Sequence, residues 1–266
     1  MYITSLQNPR IKDVVKLRKR SRRDEEHVLL VEGYRELKRA LDNDFAPTTL
    51  LYCPEQYLGE NEHALVERCA SVGAELLECS GPVFAKIAYK DRPEGLLALV
   101  RQKRRTLATL TLPDHPLVII AESIEKPGNL GSILRSSDGA GVDAVVVCDG
   151  CTDIMNPNTV RSSIGTLFSL PVVEASSEET IRWLGENHLQ CVAASPHSNT
   201  VYSDIDMTQG TAIVVGTEKF GLSERWMNQP DTLVRIPMLG QVDSLNVACA
   251  TTILLYEAVR QRSSTG

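Results

Sequence analysis

Short apolar segments recur through the second half of the chain, and they constrain the fold more than any other feature of the sequence. These segments are residues 117–121, 144–148, 191–194, 212–216 and 233–236. Each is followed by a polar or glycine-containing turn, and stretches long enough for a helix separate several of them. Short segments that are apolar throughout are typical of strands buried on both faces, and strands that alternate with helices form parallel sheets. We therefore predict an α/β domain with a parallel sheet and a last helix at 246–260.

The first 100 residues predict a smaller domain of alternating helices and strands. Apolar runs predict strands at 29–31, 50–52, 75–77 and 95–100, and helices are predicted at 34–41 and 62–71. Residues 101–116 then combine basic side chains, a stretch rich in threonine and leucine, and two prolines, a composition typical of linkers. We therefore divide the chain into a first domain at 1–100, a linker at 101–116 and a second domain at 117–266.

Composition excludes several classes of protein. A chain of 266 residues can bury a hydrophobic core without disulfides or a structural metal. The sequence has no apolar run near the roughly 20 residues that span a bilayer, and it does not begin like a signal peptide. Seven cysteines, an odd number, suit a reducing compartment, and Cys148 and Cys151 lack a second pair of ligands at zinc spacing. We expect a cytoplasmic protein with free thiols and no metal.

Basic residues are concentrated near the N-terminus, although the formal net charge of the chain is -6. Between residues 10 and 23, eight basic side chains stand against one acidic side chain, Asp13. The basic residues are Arg10, Lys12, Lys16, Arg18, Lys19, Arg20, Arg22 and Arg23. Such a cluster can neutralise phosphate groups, so we predict an anionic partner such as RNA. The alternative is a solvated helix face that serves solubility.

The turns that follow three of the predicted strands are the candidates for chemistry, because ligands of open parallel sheets bind beyond the carboxyl ends of the strands. In the first turn, Gly128 and Gly131 flank Asn129 and Leu130 at a predicted helix start. Unpaired backbone N–H groups at such a start favour an anion or an oxygen-rich group. Arg135 lies almost two helical turns further on, with a side chain long enough to reach back towards the cleft. A generic turn between a strand and a helix would look much the same.

The second turn places Gly216 and Gly221 on either side of Glu218. A glycine directly after a strand permits the backbone to approach a flat ligand closely. The alternative is that these glycines only cap a helix.

The third turn, residues 236–246, mixes isoleucine, methionine and leucine with glycine, serine and asparagine. Apolar side chains beside free backbone groups could hold an adenine ring by packing and read its edge by hydrogen bonds. Ser244 or Asn246 is also the expected N-cap of the last helix. The sequence contains neither of the glycine-rich fingerprints of dinucleotide and nucleoside triphosphate sites, which disfavours those ligands.

Taken in this order, the three turns resemble the SpoU (TrmH) family of RNA ribose 2'-O-methyltransferases. The matching motifs are Asn129-x-Gly131-x-x-x-Arg135, Val215-Gly216-x-Glu218-x-x-Gly221, and Ile236-Pro237-Met238 followed by Ser244-Leu245-Asn246-Val247-Ala248. The connecting stretch from Asn156-Pro157 through Arg161 to Leu170-Pro171 is also similar, so the resemblance covers about 117–260. Val31-Glu32-Gly33 and Arg92-Pro93-x-Gly95 resemble a substrate-binding domain similar to ribosomal protein L30e, which precedes the methyltransferase domain in many members.

The resemblance implies a deep trefoil knot of the SPOUT class in the second domain, with S-adenosylmethionine bound inside it and a homodimer as the working form. It implies cofactor contacts from Gly216, Thr217, Glu218, Ile236, Met238, Ser244, Leu245 and Asn246. It implies catalytic roles for Asn129, Arg135, Glu218, Ser244 and Asn246. The expected substrate is structured RNA, ribosomal rather than transfer RNA, with no DNA or membrane partner. Together with the eight N-terminal basic residues, Arg161 is predicted to contact RNA.

Arg135 is the usual candidate for the general base in this family, but a guanidinium keeps its proton far above neutral pH. We therefore expect Arg135 to bind the phosphate next to the target ribose and to stabilise developing negative charge. The proton would leave through that phosphate, another side chain or water, and the base itself stays open. The alternatives are a transfer RNA methyltransferase, a non-catalytic RNA-binding or ribosome-assembly protein on the same fold, and a nucleotide-dependent enzyme with an unknotted sheet.

Overall fold

The computed structural model describes residues 1–263, and residues 264–266, the end of the predicted second domain, lie outside the described residues. The strands are β1 Tyr2–Ile3, β2 Val28–Glu32, β3 Pro47–Tyr52, β4 Glu75–Cys79, β5 Leu96–Arg101, β6 Leu117–Glu122, β7 Ala144–Cys148, β8 Val172–Ala175, β9 Gln190–Ala194, β10 Thr211–Val215 and β11 Thr232–Val234. The α-helices are α1 Pro9–Lys16, α2 Arg20–Glu26, α3 Tyr34–Asp42, α4 Glu62–Ser71, α5 Gly81–Ile87, α6 Pro127–Gly139, α7 Pro157–Ser162, α8 Ser177–Glu186, α9 Glu224–Met227 and α10 Val247–Ser263. Short 3-10 helices lie at Pro54–Gln56, Leu107–Thr109, Thr166–Phe168 and Tyr202–Asp204.

The chain forms two compact units, and each unit is made of two separate segments of the sequence. The first unit comprises Met1–Lys103 and Met155–Ser169, and the second comprises Arg104–Ile154 and the chain from Leu170 onward. Residues 155–169 thus pack with the first unit, although the sequence divides the chain at 101–116. The predicted linker is itself partly structured, because Leu107, Leu110 and Leu112 pack against the core of the second unit.

The first unit is built on a five-stranded mixed sheet with the strand order β1-β4-β3-β5-β2. Strand β5 runs antiparallel to both β2 and β3, whereas β4 is parallel to β1 and β3. The four strands and two helices predicted from the sequence in this unit are confirmed. The core cluster includes Ile11, Val14, Leu30, Leu51, Leu77, Phe84 and Ile87. It joins α1 and α5 to the sheet, and it stabilises the unit by removing these side chains from water.

The segment 155–169 is held to the first unit by specific contacts. Helix α7 packs against β2, and the guanidinium of Arg39 donates a hydrogen bond to the carbonyl oxygen of Ile164 at 2.7 Å. Gly165 has φ +75°, and a Cβ atom there would lie 3.0 Å from the Cα atom of Glu36. The ring of Phe168 lies 5.0 Å from the ring of Phe45. A glycine is therefore required where this segment approaches α3 most closely.

The second unit contains a six-stranded sheet in the order β11-β9-β10-β6-β7-β8, and every strand pair is parallel. The predicted α/β fold with a parallel sheet is thus confirmed. Strands β6, β7 and β10 are buried at every residue, which is why their sequences are apolar throughout. Strand β11 ends at Val234, two residues before the predicted end of that run, and β8 is an additional strand. Within residues 1–263, no helix is long and apolar enough to cross a membrane.

Helix α10 closes the second unit and confirms the predicted last helix. It packs against α6 and against strand β10. The hydroxyl groups of Ser136 on α6 and Thr252 on α10 are 2.6 Å apart, and the Tyr256 hydroxyl donates to the carbonyl oxygen of Gly139 at 3.4 Å. These contacts place α6 and α10 side by side, with their N-terminal ends beside the turns that follow β6 and β11.

Candidate active site

The three predicted turns leave the same edge of the second unit's sheet. Strands β6 and β10 are parallel neighbours, and β11 lies beyond β9 in the same parallel sheet. Parallel strands present their carboxyl ends together, so the turns after β6, β10 and β11 converge on one region. This convergence is the geometric condition for a ligand site at that edge.

Glu218 joins the three turns through hydrogen bonds. The side-chain amide of Asn129 donates to Glu218 Oε1 at 3.0 Å, and the amide of Asn246 donates to the same oxygen and to Asn129 Oδ1. The ammonium of Lys126 donates to Glu218 Oε2 at 2.6 Å. We call Lys126, Asn129, Glu218 and Asn246 the Glu218 network. Three predicted catalytic residues are thereby brought together, although they lie far apart in the sequence.

The charge state of Glu218 follows from these partners. Its hydrogen bond from Lys126 lowers the pKa of the Glu218 carboxyl, with a further lowering from the Asn129 amide. The same ion pair raises the pKa of Lys126. Both groups are therefore charged at neutral pH, and Glu218 acts as a hydrogen-bond acceptor. It can orient the two asparagine amides, but it cannot donate a proton.

The second turn is fixed by two glycines. The backbone N–H of Thr217 donates to the carbonyl oxygen of Gly221 at 2.9 Å, and the N–H of Gly221 donates back to Thr217 at 3.1 Å. A Cβ atom on Gly216 would lie 2.3 Å from the Gly221 carbonyl oxygen, and Gly221 itself has φ +67°. The Thr217 hydroxyl accepts from the N–H of Phe220 at 2.9 Å. The turn is therefore tightly closed, and it presents Glu218 in one position.

The third turn leaves its backbone largely unpaired. The N–H groups of residues 238–245 donate to no other group within the described part of the chain. Ile236, Met238 and Leu245 are half-buried, and the Ser244 hydroxyl reaches only the neighbouring carboxylate of Asp243. Asn246 is the residue that caps α10, since its Oδ1 accepts from the N–H of Ala248 at 3.0 Å. Backbone donors that are free of protein partners, beside half-buried apolar side chains, fit the adenosine part of S-adenosylmethionine.

Arg135 lies apart from the Glu218 network. It is exposed on α6, and its guanidinium makes no hydrogen bond or ion pair within residues 1–263. An unpaired, permanently charged guanidinium is suited to bind a phosphate in a bidentate manner. The structure thus leaves Arg135 available for a substrate anion.

The basic residues predicted to contact RNA differ in their availability. Arg23 is only 1 % exposed, and its guanidinium donates to the carbonyl oxygens of Leu17 at 2.7 Å and Arg18 at 2.9 Å. This burial argues against its predicted contact with RNA, because the guanidinium is used to bind the backbone carbonyl groups after α1. Arg18 is exposed but donates to two carbonyl oxygens at the end of α5.

The other predicted RNA contacts are exposed or half-buried on the first unit. Arg10, Lys16, Arg20 and Arg22 each make an ion pair with a carboxylate. Lys12, Lys19 and Arg161 are exposed and make no ion pair with another described residue. These last three are therefore the cations that can bind phosphate without first releasing a carboxylate.

The cysteines of the chain are all free thiols. Cys148 is buried beside Thr180, with 3.2 Å between sulfur and hydroxyl oxygen, and burial raises the pKa of its thiol to about 12. Cys151, its neighbour in the sequence, is exposed. Over residues 1–263, no three histidine, cysteine or acidic side chains are placed to hold a metal ion.

Two residues beside the site were not predicted from the sequence. Lys126 pairs with Glu218, and its only signal in the sequence was a basic residue three positions before Asn129. Phe220 lies exposed in the second turn, where the motif leaves its position unspecified. Motif spacing identifies fixed positions and gives no information about the variable ones.

Two models of known protein families match this chain, each over a different part of the sequence. Residues 116–256 match the model of the SpoU rRNA Methylase family, and residues 8–98 match the MRM3-like substrate binding domain. The chain belongs to the SpoU rRNA methylase family.

Several relatives match over nearly the whole chain. The 23S rRNA (uridine(2479)-2'-O)-methyltransferase of Streptomyces viridochromogenes is 32% identical over 92% of this chain and 87% of its own length. The 23S rRNA (guanosine(2553)-2'-O)-methyltransferase RlmP of Bacillus subtilis is 28% identical over 96% of this chain and 97% of its own. The similarity therefore extends through both units.

Solved structures show the same extent of similarity. The crystal structure of an RNA 2'-O ribose methyltransferase has a TM-score of 0.88 and 41% identity, covering 99% of this chain and 100% of the other. The SpoU methyltransferase AviRb from Streptomyces viridochromogenes, in complex with AdoMet, has a TM-score of 0.87 and 32% identity, covering 97% of this chain and 100% of the other.

Proposed function

We propose that this protein transfers a methyl group from S-adenosylmethionine to a ribose 2'-hydroxyl in structured ribosomal RNA. The observation that carries this proposal is the convergence of the three family motifs on Glu218, beside a loop with unpaired backbone donors. Ribosomal RNA is favoured over transfer RNA because two relatives that match both units are named for 23S rRNA.

When bound, S-adenosylmethionine supplies an electrophilic methyl group on its sulfonium. Gly216, Ile236 and Leu245 would hold it, with Thr217, Glu218, Met238, Ser244 and Asn246 nearby. Glu218 fixes the amides of Asn129 and Asn246 before substrate arrives, so their orientation requires no rearrangement during the reaction.

Arg135 supplies an unpaired positive charge. The Glu218 network has none, because the ammonium of Lys126 is paired with Glu218. Its unpaired guanidinium binds the phosphate next to the target ribose and stabilises negative charge on the 2'-oxygen as the proton leaves. The guanidinium is not the base, because it stays protonated at neutral pH. The proton leaves through the bound phosphate, another side chain or a water molecule.

We also propose that the second unit carries the deep trefoil knot of its family. Strand β11 lies at one edge of the sheet, yet α10 packs against β10 and α6. The N–H of Arg235 donates to the carbonyl oxygen of Thr200 at 2.9 Å, and the side-chain amide of Gln261 donates to the backbone carbonyl oxygen of Ile205 at 3.0 Å. The chain before and within α10 is therefore hydrogen-bonded to the 195–210 loop, and this proximity supports the proposed path through that loop.

The first unit is proposed to recognise the RNA as an L30e-like substrate-binding domain centred on residues 1–100. Its match to the MRM3-like substrate binding domain and its exposed Lys12 and Lys19 support this role. We further propose a homodimer with Arg135 close to the partner subunit. A ribosomal RNA substrate also favours a cytoplasmic location.

Calorimetry and methyl transfer test the proposed function directly. The purified protein should bind S-adenosylmethionine and should transfer its tritiated methyl group to a 23S rRNA transcript. The modified position should resist alkaline cleavage, since its 2'-hydroxyl is blocked. Absence of binding at millimolar S-adenosylmethionine would favour the non-catalytic RNA-binding protein, and binding of NAD or ATP instead would favour the nucleotide-dependent enzyme. Methylation of transfer RNA alone would reverse the choice of substrate.

A further inference from the structure

Phe220 is exposed beside the Glu218 network. Its side chain is 73% exposed, whereas Phe84 and Phe168 are buried in the first unit. Leu239 and Val242 of the third turn are also exposed, at 98% and 62%. The second and third turns meet at the hydrogen bond between Asn246 and Glu218, so these three apolar side chains belong to the same end of the sheet. Exposed apolar groups collected at one place mark a binding surface more often than scattered ones do.

Three hydrogen bonds hold the backbone around Phe220. Its own N–H donates to the Thr217 hydroxyl at 2.9 Å, and the turn is closed by the two hydrogen bonds between Thr217 and Gly221. A fixed backbone limits the freedom of the ring, and therefore reduces the entropy lost when a flat partner packs on it. The backbone at Phe220 is thus hydrogen-bonded in place before a partner binds, and the ring itself remains largely exposed.

A cation accompanies the ring. The ammonium of Lys219 lies 4.9 Å from the Phe220 ring centroid, and it makes no ion pair within the described residues. The nearest carboxylate in the sequence, Glu218, is instead bound by Lys126, Asn129 and Asn246. Lys219 therefore keeps its full charge for a partner outside the chain. An aromatic ring beside an unneutralised cation provides one surface for a nucleobase and one for its phosphate.

We propose that Phe220 stacks on a nucleobase of the RNA at or beside the target ribose, and that Lys219 binds a neighbouring phosphate. The site rests on the proposed function and adds a specificity-determining residue to it. RNA fits this surface because it presents a phosphate beside every base, which matches the Phe220 ring and the neighbouring Lys219 ammonium. Stacking requires an unpaired base, so the target nucleotide lies in a loop, bulge or unwound segment.

Three variants at apolar positions test this inference, together with Lys219→Gln. Phe220→Ala removes the ring, Phe220→Trp keeps a stacking surface, and Leu58→Ala removes a comparably exposed apolar side chain, at 78%, from the first unit. For each variant, kcat and KM are measured for tritiated methyl transfer to a 23S rRNA transcript. Calorimetry gives the Kd of S-adenosylmethionine, and light scattering gives the mass in solution.

Phe220→Ala should lower kcat/KM for the transcript by roughly ten-fold to one-hundred-fold, in line with the loss of one stacked base. Phe220→Trp should restore most of this loss, and Leu58→Ala should behave like the wild type. The Kd of S-adenosylmethionine and the mass should stay unchanged in all three variants. Lys219→Gln should raise KM for the transcript. The slope of the RNA binding constant against salt concentration should fall by the equivalent of about one released counterion.

Other outcomes overturn the inference in distinguishable ways. An unchanged kcat/KM in Phe220→Ala shows that the ring does not touch RNA. A weaker Kd for S-adenosylmethionine shows that the ring covers the cofactor, and a lower mass shows that it packs against a second copy. If the wild-type protein neither binds S-adenosylmethionine nor methylates RNA, the proposed function itself is wrong, and these variants are not needed to show it.

Discussion

The side-chain amide of Asn129 donates a hydrogen bond of 3.0 Å to the carboxylate of Glu218, across 89 positions of the sequence. This bond connects the turn after β6 to the turn after β10, and Asn246 extends it to the start of α10. The three motifs therefore form one physical unit. A change in one of them should affect the others.

Replacement of Glu218 by glutamine tests that unit. The amide that replaces the carboxylate removes the ion pair with Lys126 and places N–H groups opposite the donors of Asn129 and Asn246. We expect kcat to fall by roughly 10²-fold, because the asparagine amides lose their fixed orientation. The stability should change little, since the Lys126–Glu218 pair is exposed. Glu224→Gln, an exposed acidic residue in the following helix, is the matched control, and an equal loss in both variants would contradict the assigned role.

The low pKa of Glu218 gives a second prediction. Because its folded-state pKa lies below the ordinary value, the charged form persists on acidification, and the network is lost only as the pH falls through the lowered pKa. The rate should therefore show no titration of Glu218 between about pH 5 and pH 9. An acidic limb near neutral pH that disappears in Glu218→Gln would disagree with this charge state.

Arg135 is predicted to act as a bound cation. Arg135→Ala should lower kcat/KM for RNA by roughly 10²-fold, and Arg135→Lys should recover only part of it, because an ammonium cannot bind phosphate in a bidentate manner. The basic limb of the pH-rate profile should stay in place in Arg135→Lys. A basic limb that moves with little loss of rate would instead identify Arg135 as the general base.

Gly216→Ala should distort the second turn. The added Cβ atom would lie 2.3 Å from the carbonyl oxygen of Gly221, which is backbone and cannot move aside cheaply. We expect weaker binding of S-adenosylmethionine by calorimetry and a loss of about 1–3 kcal/mol in the free energy of unfolding. Gly185→Ala is the control, because a Cβ atom there meets nothing within 4 Å and the residue lies in α8, outside the three turns. Similar cofactor affinities for the two variants would argue against a cofactor contact at Gly216.

Much of the second unit was predictable because its signals are local. Fully buried strands such as β6 and β7 require continuous apolar sequence, and the motifs fix Asn129, Glu218 and Asn246 by spacing. Strand β8 escaped prediction because four residues, two of them only half-buried, give too short an apolar run. The hydrogen bonds among the motif residues had no local signal, since they depend on the strand order.

The first unit shows what spacing cannot predict. Residues 155–169 follow β7 in the sequence but pack on α3, and the tight approach of Gly165 to Glu36 is visible only in three dimensions. Arg23 looks like its seven basic neighbours in sequence, yet its guanidinium alone among them is buried to bind backbone carbonyls. Burial of a single charge depends on the local path of the chain, which composition does not encode.

The cysteines should divide by exposure when the native protein is alkylated. Cys151 and Cys249 are exposed, whereas burial raises the pKa of Cys148, Cys79 and Cys191 to about 12. A thiol reacts as its thiolate, so these buried groups should resist iodoacetamide near pH 8. Mass spectrometry of the native protein should show modification at Cys151 and Cys249 first. Rapid labelling of Cys148 together with Cys151 would contradict the buried position of Cys148.

Substitutions at Arg23 and Lys19, which lie four residues apart, should change different properties. The first should lower the stability of the fold, and the second should weaken RNA binding. Arg23→Ala leaves the carbonyl oxygens of Leu17 and Arg18 without their donor, so the free energy of unfolding should fall by about 1–3 kcal/mol. Lys19→Ala, and equally Lys12→Ala, should leave the unfolding transition in place and weaken RNA binding, with the salt dependence reduced by about one counterion. Urea titration and filter binding to a 23S rRNA transcript at several salt concentrations measure the two effects separately. Reduced RNA affinity in a folded Arg23→Ala variant, with no change in stability, would show that this guanidinium reaches the RNA after all.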